Sequence, residues 1–272
     1  MDRRLTPFSG RVALEGLRGQ VDASAFTKGE AAAIALPLID LLAEPAGARD
    51  RQLALGAAVT VVDRRDGWAF VQARRDHYCG WLPEAALCPA ITPTHWVAAP
   101  ASHAYSGPKV QAAELFALPM GAALHVTATD GAFARTQVGY VPTAHLRRMD
   151  DRFDDPAEVA LTLLGSPYLW GGNSRAGVDC SGLVQLAFHA CGRDCPGDSD
   201  LQREIGQPLP EDAALRRNDL VFWKGHVALM LDAATLIHAN GHSMSVATEP
   251  LATATTRIAD QGGGPVTARR RP

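Results

Sequence analysis

Long apolar runs are missing from this 272-residue chain. No stretch approaches the length needed to span a bilayer, and Met1-Asp2-Arg3-Arg4-Leu5-Thr6-Pro7 is not followed by a continuous apolar segment. A membrane span and a secretory leader are therefore not expected, and the expected location is cytoplasmic. An excess of charge of one sign is missing too: the formal charge is −3, which gives no electrostatic case for nucleic acid or an anionic membrane as partner. Cysteine is scarce and odd in number, at positions 79, 88, 180, 191 and 195. Such a set does not suggest a disulfide scaffold and fits a reducing compartment. Cys191 and Cys195 stand near His189, but a structural zinc site needs four ligands and no second pair is evident. Neither a metal nor a cofactor is expected. Lysine is nearly absent, at Lys28, Lys109 and Lys224 only, a bias with no physical explanation in the sequence.

What is present is the composition of a globular protein, 47% hydrophobic and 20% charged. Residues 1–34 form an N-terminal segment in which Val12, Leu14, Leu17 and Val21 give only a weak apolar face. Residues 35–90 have β character. Val59-Thr60-Val61-Val62 and Trp68-Ala69-Phe70-Val71 are β-branched or alternating runs around an Asp66-Gly67 turn. Residues 91–149 comprise a linker carrying Trp96 and Tyr105 and then a second copy of the same pattern. Gly139-Tyr140-Val141-Pro142 with Leu146 repeats the spacing of Gly80-Trp81-Leu82-Pro83 with Leu87. Two units of this size made of short strands predict two small β-barrels.

Residues 150–272 change pattern again. Asp155-Pro156 reads as a helix cap followed by proline at the first helical position, with Gly165 as the stop. A loop with Tyr168 and Trp170 leads to Asp179-Cys180-Ser181-Gly182 and an apolar run of helical spacing, which puts Cys180 at a helix N-terminus. The unpaired N–H groups and partial positive charge there favour a thiolate and can receive an oxyanion. Four strands are predicted after it, at 219–223, 226–231, 235–238 and 243–249, which gives an α+β order with an antiparallel sheet. A hairpin of the second and third would bring His226 and His238 together at its open end. Cys180 is then the candidate nucleophile, His226 its base and His238 the residue that orients the base. The tail from Gly262 to Pro272 reads as disordered, with its arginines solvated.

Tyr168-Leu169-Trp170-Gly171-Gly172, Asp179-Cys180-Ser181-Gly182, Gly225-His226-Val227 and Ile237-His238-Ala239 resemble, in order and spacing, the NlpC/P60 family of cysteine peptidases. The repeat before them resembles the bacterial SH3-like (SH3b) modules that accompany cell-wall hydrolases. The resemblance implies a papain-like catalytic domain with a Cys-His-His site. It also implies cleavage of peptidoglycan stem peptides between γ-D-glutamate and a diamino acid, in substrates with a free N-terminal L-Ala. By the same resemblance Tyr168, Trp170, Asp179, Ser181 and Ser199 line the pocket for the L-Ala amine, and Glu84 on the first SH3b module supplies a further carboxylate. The substrate partner is thus a peptidoglycan-derived peptide. The physical reading runs in parallel, because a buried ammonium needs carboxylate and hydroxyl acceptors. Two alternatives stand beside this reading. One is a different thiol amidase or acyltransferase on the same core. The other is an inactive cell-wall peptide-binding protein, against which the intact Cys180, His226 and His238 argue.

Overall fold

Short β-branched runs closed by Gly, Pro or Asp-Gly make strands the commonest regular element of the chain. The computed structural model describes residues 1–272, which divide into two units, Met1–Asp151 and Arg152–Pro272. No helix is long and apolar enough to cross a membrane.

In the first unit, strand 58–65 pairs with 68–73 across the Asp66-Gly67 turn and, on its other edge, with 30–34. These belong to a seven-stranded sheet whose edges are 49–54 and 87–89. The alternating inward residues Ile34, Leu41, Val59, Val61, Val71 and Leu82 form its core with Tyr78. The N-terminal segment lies on this layer: Val12 and Leu14 pack against Val62, Phe70 and Trp81.

The second half of this unit is split between a three-stranded sheet and a five-stranded sheet. Trp96 is buried in the strand 95–97, which pairs with both 123–124 and 146–148, so the predicted linker is itself a sheet strand. The sequence repeat has a structural counterpart. Strand 79–83, the 3₁₀ turn Glu84–Ala86 and strand 87–89 recur as strand 139–142, turn Thr143–His145 and strand 146–148.

The expectation of two small barrels is corrected here, because no sheet closes on itself. The strands are two to eight residues long and broken by register shifts at Leu41/Leu42, Val61/Asp63, Ala104/Tyr105 and Val126/Ala128. The 3₁₀ turns lead into the short strands 87–89 and 146–148, which pair with 30–34 and 95–97 but remain sheet edges. The region is SH3-like in its strand sequence and open in its pairing.

The second unit begins with helix α1 (Pro156–Leu161), whose N-cap Asp155 accepts from Ala157 N at 3.0 Å. Helix α2 (Cys180–Ala190) follows the loop, and α3 (Ser199–Gln202) is a single turn. A six-stranded antiparallel sheet comes next: β1 (Gln207–Pro208), β2 (Leu220–Trp223), β3 (His226–Met230), β4 (Thr235–Asn240), β5 (Ser245–Pro250) and β6 (Ala268–Arg271). In space the order is β1-β6-β2-β3-β4-β5. β2 and β3 are joined by Lys224-Gly225, where Gly225 has φ +70°. That left-handed value favours glycine and lets the hairpin close in two residues.

Two features depart from the sequence reading. Helix α4 (Leu251–Asp260) was not foreseen. It packs Leu251, Ala254 and Ile258 on the core of Val221, Trp223, Ala228, Met230 and Leu236. The tail is not disordered, because β6 fills the place between β1 and β2, pairing Ala268–Arg270 with Leu220–Phe222. Its arginines are not merely solvated: Arg271 holds the buried Asp219 at 2.7 Å and Arg270 lies 3.3 Å from Glu204.

Candidate active site

Asp179 fixes the start of α2. One carboxylate oxygen accepts from Gly182 N at 2.7 Å and from Ser181 Oγ at 3.0 Å, and the other accepts from Gly171 N at 2.8 Å. Asp179 therefore caps α2 and ties the Tyr168–Gly172 loop to it. Gly182 is needed for close approach, since a Cβ there would stand 2.4 Å from Gly172 O. Cys180 occupies the first helical position and is buried. Its thiol lies against the backbone N–H groups of Cys180, Ser181 and Val227, the last being the residue after His226.

The two histidines stand on neighbouring strands. His226 opens β3, and His238 lies in β4. His226 Nε2 and His238 Nδ1 are 2.8 Å apart, and the His226 ring packs on Trp223 with centroids 5.7 Å apart. His238 Nε2 lies 2.8 Å from Glu249 Oε1 on β5, a close polar contact rather than an aligned hydrogen bond. The Arg257 guanidinium from α4 binds the same oxygen. A cavity of about 430 Å³ opens beside this array, lined by His226, His238, Asn240, His242, Arg257 and Gln261 among others.

Burial dominates the proton affinities. Burial and then the Asp179 carboxylate push the Cys180 thiol up to about 12. This reverses the lowering expected from the helix N-terminus: the N–H groups at the sulfur act in the favourable direction, but loss of water outweighs them. Burial, then His238, push His226 down to about 3, and burial, then Arg257, push His238 down to about 4. The pair is thus at rest as neutral thiol and neutral imidazole. Asp179 is shifted upward by burial, against the pull of its three donors.

The other candidate residues are distributed unevenly. Tyr168 is half-buried, and its phenol is held above its usual value by burial and then by Cys180 and Asp179, which places it at the thiol. Ser181 is buried and bonded to Asp179. Trp170 is 70% exposed on the loop. Ser199 opens α3, which is tied to α2 by Gln202 Nε2 donating to Ser181 O at 2.9 Å. Glu84 belongs to the first unit, where it pairs with Arg64 at 2.8 Å on an exposed surface. The sequence reading missed Glu249, Arg257 and Gln202. Period-two spacing on β5 could have found Glu249: His238 pairs with Ala247, so Glu249, two residues on, shares its face.

A thiol on a helix start, an imidazole pair on adjacent strands and an α+β core together define a thiol hydrolase of the cysteine-peptidase class. Residues 165–259 match the NlpC/P60 family, and residues 41–87 match the bacterial dipeptidyl-peptidase SH3 domain. The second unit is a cysteine-peptidase domain of the NlpC/P60 family, and an SH3-like domain precedes it. The chain is 28% identical to a gamma-D-glutamyl-L-lysine dipeptidyl-peptidase of Bacillus cereus, over 75% of this chain and 71% of that protein. It is 26% identical to dipeptidyl-peptidase 6 of Lysinibacillus sphaericus, over 70% and 79%. Its fold matches the crystal structure of an NlpC/P60 family protein from Bacillus cereus with a TM-score of 0.74, at 22% identity, covering 89% of this chain and 99% of that one.

Proposed function

We propose that the protein hydrolyses the bond between γ-D-glutamate and the following L-diamino acid in peptidoglycan stem peptides that begin with a free L-Ala. The observation that carries this reading is the thiol of Cys180, set at the first turn of α2 against the backbone of the residue that follows His226. The name of the Bacillus cereus relative, a gamma-D-glutamyl-L-lysine dipeptidyl-peptidase, supports the substrate class.

In the proposed reaction the Cys180 proton passes to His226 as sulfur bonds to the γ-carbonyl carbon. The N–H of Cys180, free of intrahelical bonding at this position, holds the oxyanion together with Tyr168. Collapse breaks the C–N bond, and His226 returns the proton to the leaving amine. Water, giving a proton to His226, then attacks the thioester. Release of the acid restores the neutral thiol. The raised thiol and depressed imidazole mean that proton transfer accompanies attack rather than preceding it.

Asp179 spends three acceptor positions on its donors and has lone-pair capacity left for an ammonium. An arriving cation would also offset the burial that raises its proton affinity. Such a site favours peptides already released from the glycan, because a blocked amine leaves the carboxylate unpaired.

The test is hydrolysis of L-Ala-γ-D-Glu-diaminopimelate beside its N-acetylated form, with Cys180→Ala as control. Cleavage of the free peptide, lost in the variant and at least about 100-fold slower for the acetylated peptide, is expected. Equal cleavage of both removes the amine site, and cleavage by Cys180→Ala removes the nucleophile.

A further inference from the structure

Behind the thiol and its base, the polar chain continues through His238 and Glu249 to Arg257, and the last two have no part in the reaction as described. We propose that Glu249 is a positioning residue that sets the tautomers of both histidines and so leaves Nδ1 of His226 as its basic nitrogen, the one assigned to take the Cys180 proton. The proposal rests on the assignment of Cys180 and His226 as the reacting pair.

A carboxylate oxygen 2.8 Å from His238 Nε2 would meet a lone pair with repulsion and a proton with attraction, so the proton of neutral His238 sits on Nε2. Its Nδ1 then carries the lone pair. That nitrogen is 2.8 Å from His226 Nε2, so His226 donates from Nε2. The only basic nitrogen left on His226 is Nδ1. One acidic residue on β5 thereby fixes the orientation of every proton up to the thiol. Reversing it would put a proton on His226 Nδ1 and leave Cys180 without an acceptor.

Arg257 explains why this device does not overshoot. An isolated carboxylate beside a buried imidazole draws a second proton onto it, and imidazolium cannot accept from His226. Burial, and then Arg257, which bonds the same Glu249 oxygen, lower the proton affinity of His238 to about 4. Glu249 then directs the tautomer while His238 stays neutral. Glu249 also stabilises the positive charge that His226 takes up during attack. Its side chain is 19% accessible at the end of β5, a position where packing makes no demand for an acid.

The experiment labels the full chain with ¹⁵N-histidine and follows the ring nitrogens of His226 and His238, alongside turnover of L-Ala-γ-D-Glu-diaminopimelate. Both rings are expected as Nε2–H tautomers. In Glu249→Ala the His226 signal should shift toward Nδ1–H. Its kcat should fall on the order of 10²-fold with KM unchanged within about twofold. Glu249→Gln keeps an oxygen able to accept from His238, so it should restore both tautomers and bring kcat back to within about tenfold of the parent. An Nδ1–H proton on His226 in the parent overturns the proposal, as does a Glu249→Ala variant with unchanged tautomers or unchanged kcat. If Glu249→Ala does not fold, the parent tautomers decide. The ring signals need no turnover, so failure of the peptidase assignment, read from Cys180→Ala, is separable from failure of this one.

Discussion

A buried imidazole resists protonation, and that resistance has a stability consequence for His226 and His238. Their folded values lie near 3 and 4, below the ordinary 6.5. The groups acting on His226 are His238, Arg257 and Glu249, and Arg257 acts on His238. Below pH 6.5 the unfolded chain binds protons that the folded chain refuses, so stability is full above 6.5 and falls as pH drops toward 4. From pH 7 to 4.5 the loss should be about 5 kcal/mol for the two imidazoles together. Urea unfolding at the two pH values measures it, and a His226→Gln/His238→Gln double variant should show a smaller drop. An equal drop in that variant would assign the acid sensitivity to other groups. The same burial that makes His226 a neutral base at rest therefore makes the second unit acid-labile.

At the scale of the element, the decisive feature is how closely the Tyr168–Gly172 loop approaches the first turn of α2. A Cβ at position 182 would stand 2.4 Å from Gly172 O, 3.0 Å from Asn173 Oδ1 and 3.1 Å from Asp179 Oδ1, atoms of the loop and of the cap. Gly182→Ala must push the loop off the helix and break the bond from Gly171 N to Asp179. A cost of about 1–3 kcal/mol is expected, together with a fall in kcat, since the thiol and Tyr168 both hang on that junction. A thermal melt and a turnover assay read the two effects. Much of this element was legible in advance. Asp179 before an apolar run of helical spacing announces the cap, and the turns at Lys224-Gly225 and Asp232-Ala233 announce the hairpin that joins His226 to His238. Arg257 was not legible, because its meeting with Glu249 depends on how α4 lies across β5. The threonines of Leu251–Asp260 hide a helix whose apolar face is only Leu251, Ala254 and Ile258.

For the whole molecule, local signals served well wherever pairing was local and failed wherever it was not. The repeat at Gly80–Leu87 and Gly139–Leu146 is visible as spacing and recurs as the same strand–turn–strand unit. Closure of the sheets is a property of distant strands, which is why the barrel expectation had nothing local to correct it. The tail shows the same limit: Gly262-Gly263-Gly264-Pro265 reads as a loose end, yet the next residues reach back about fifty positions to complete the sheet. β6 is an interior strand of that sheet, with β1 on one side and β2 on the other. Removing residues 268–272 would unpair Leu220–Phe222 on one edge, detach β1 and leave the carboxylate of Asp219 buried without its guanidinium partner. The orphaned ladder bonds alone should cost about 2–4 kcal/mol. Because β2 leads directly into His226, the truncated chain should lose peptidase activity at temperatures where the first unit remains folded. Hydrogen exchange of the full chain and the truncated chain distinguishes the outcomes. Faster exchange in β2 and β3 with unchanged exchange over residues 58–73 supports an architectural tail, and unchanged exchange in β2 would make the tail dispensable.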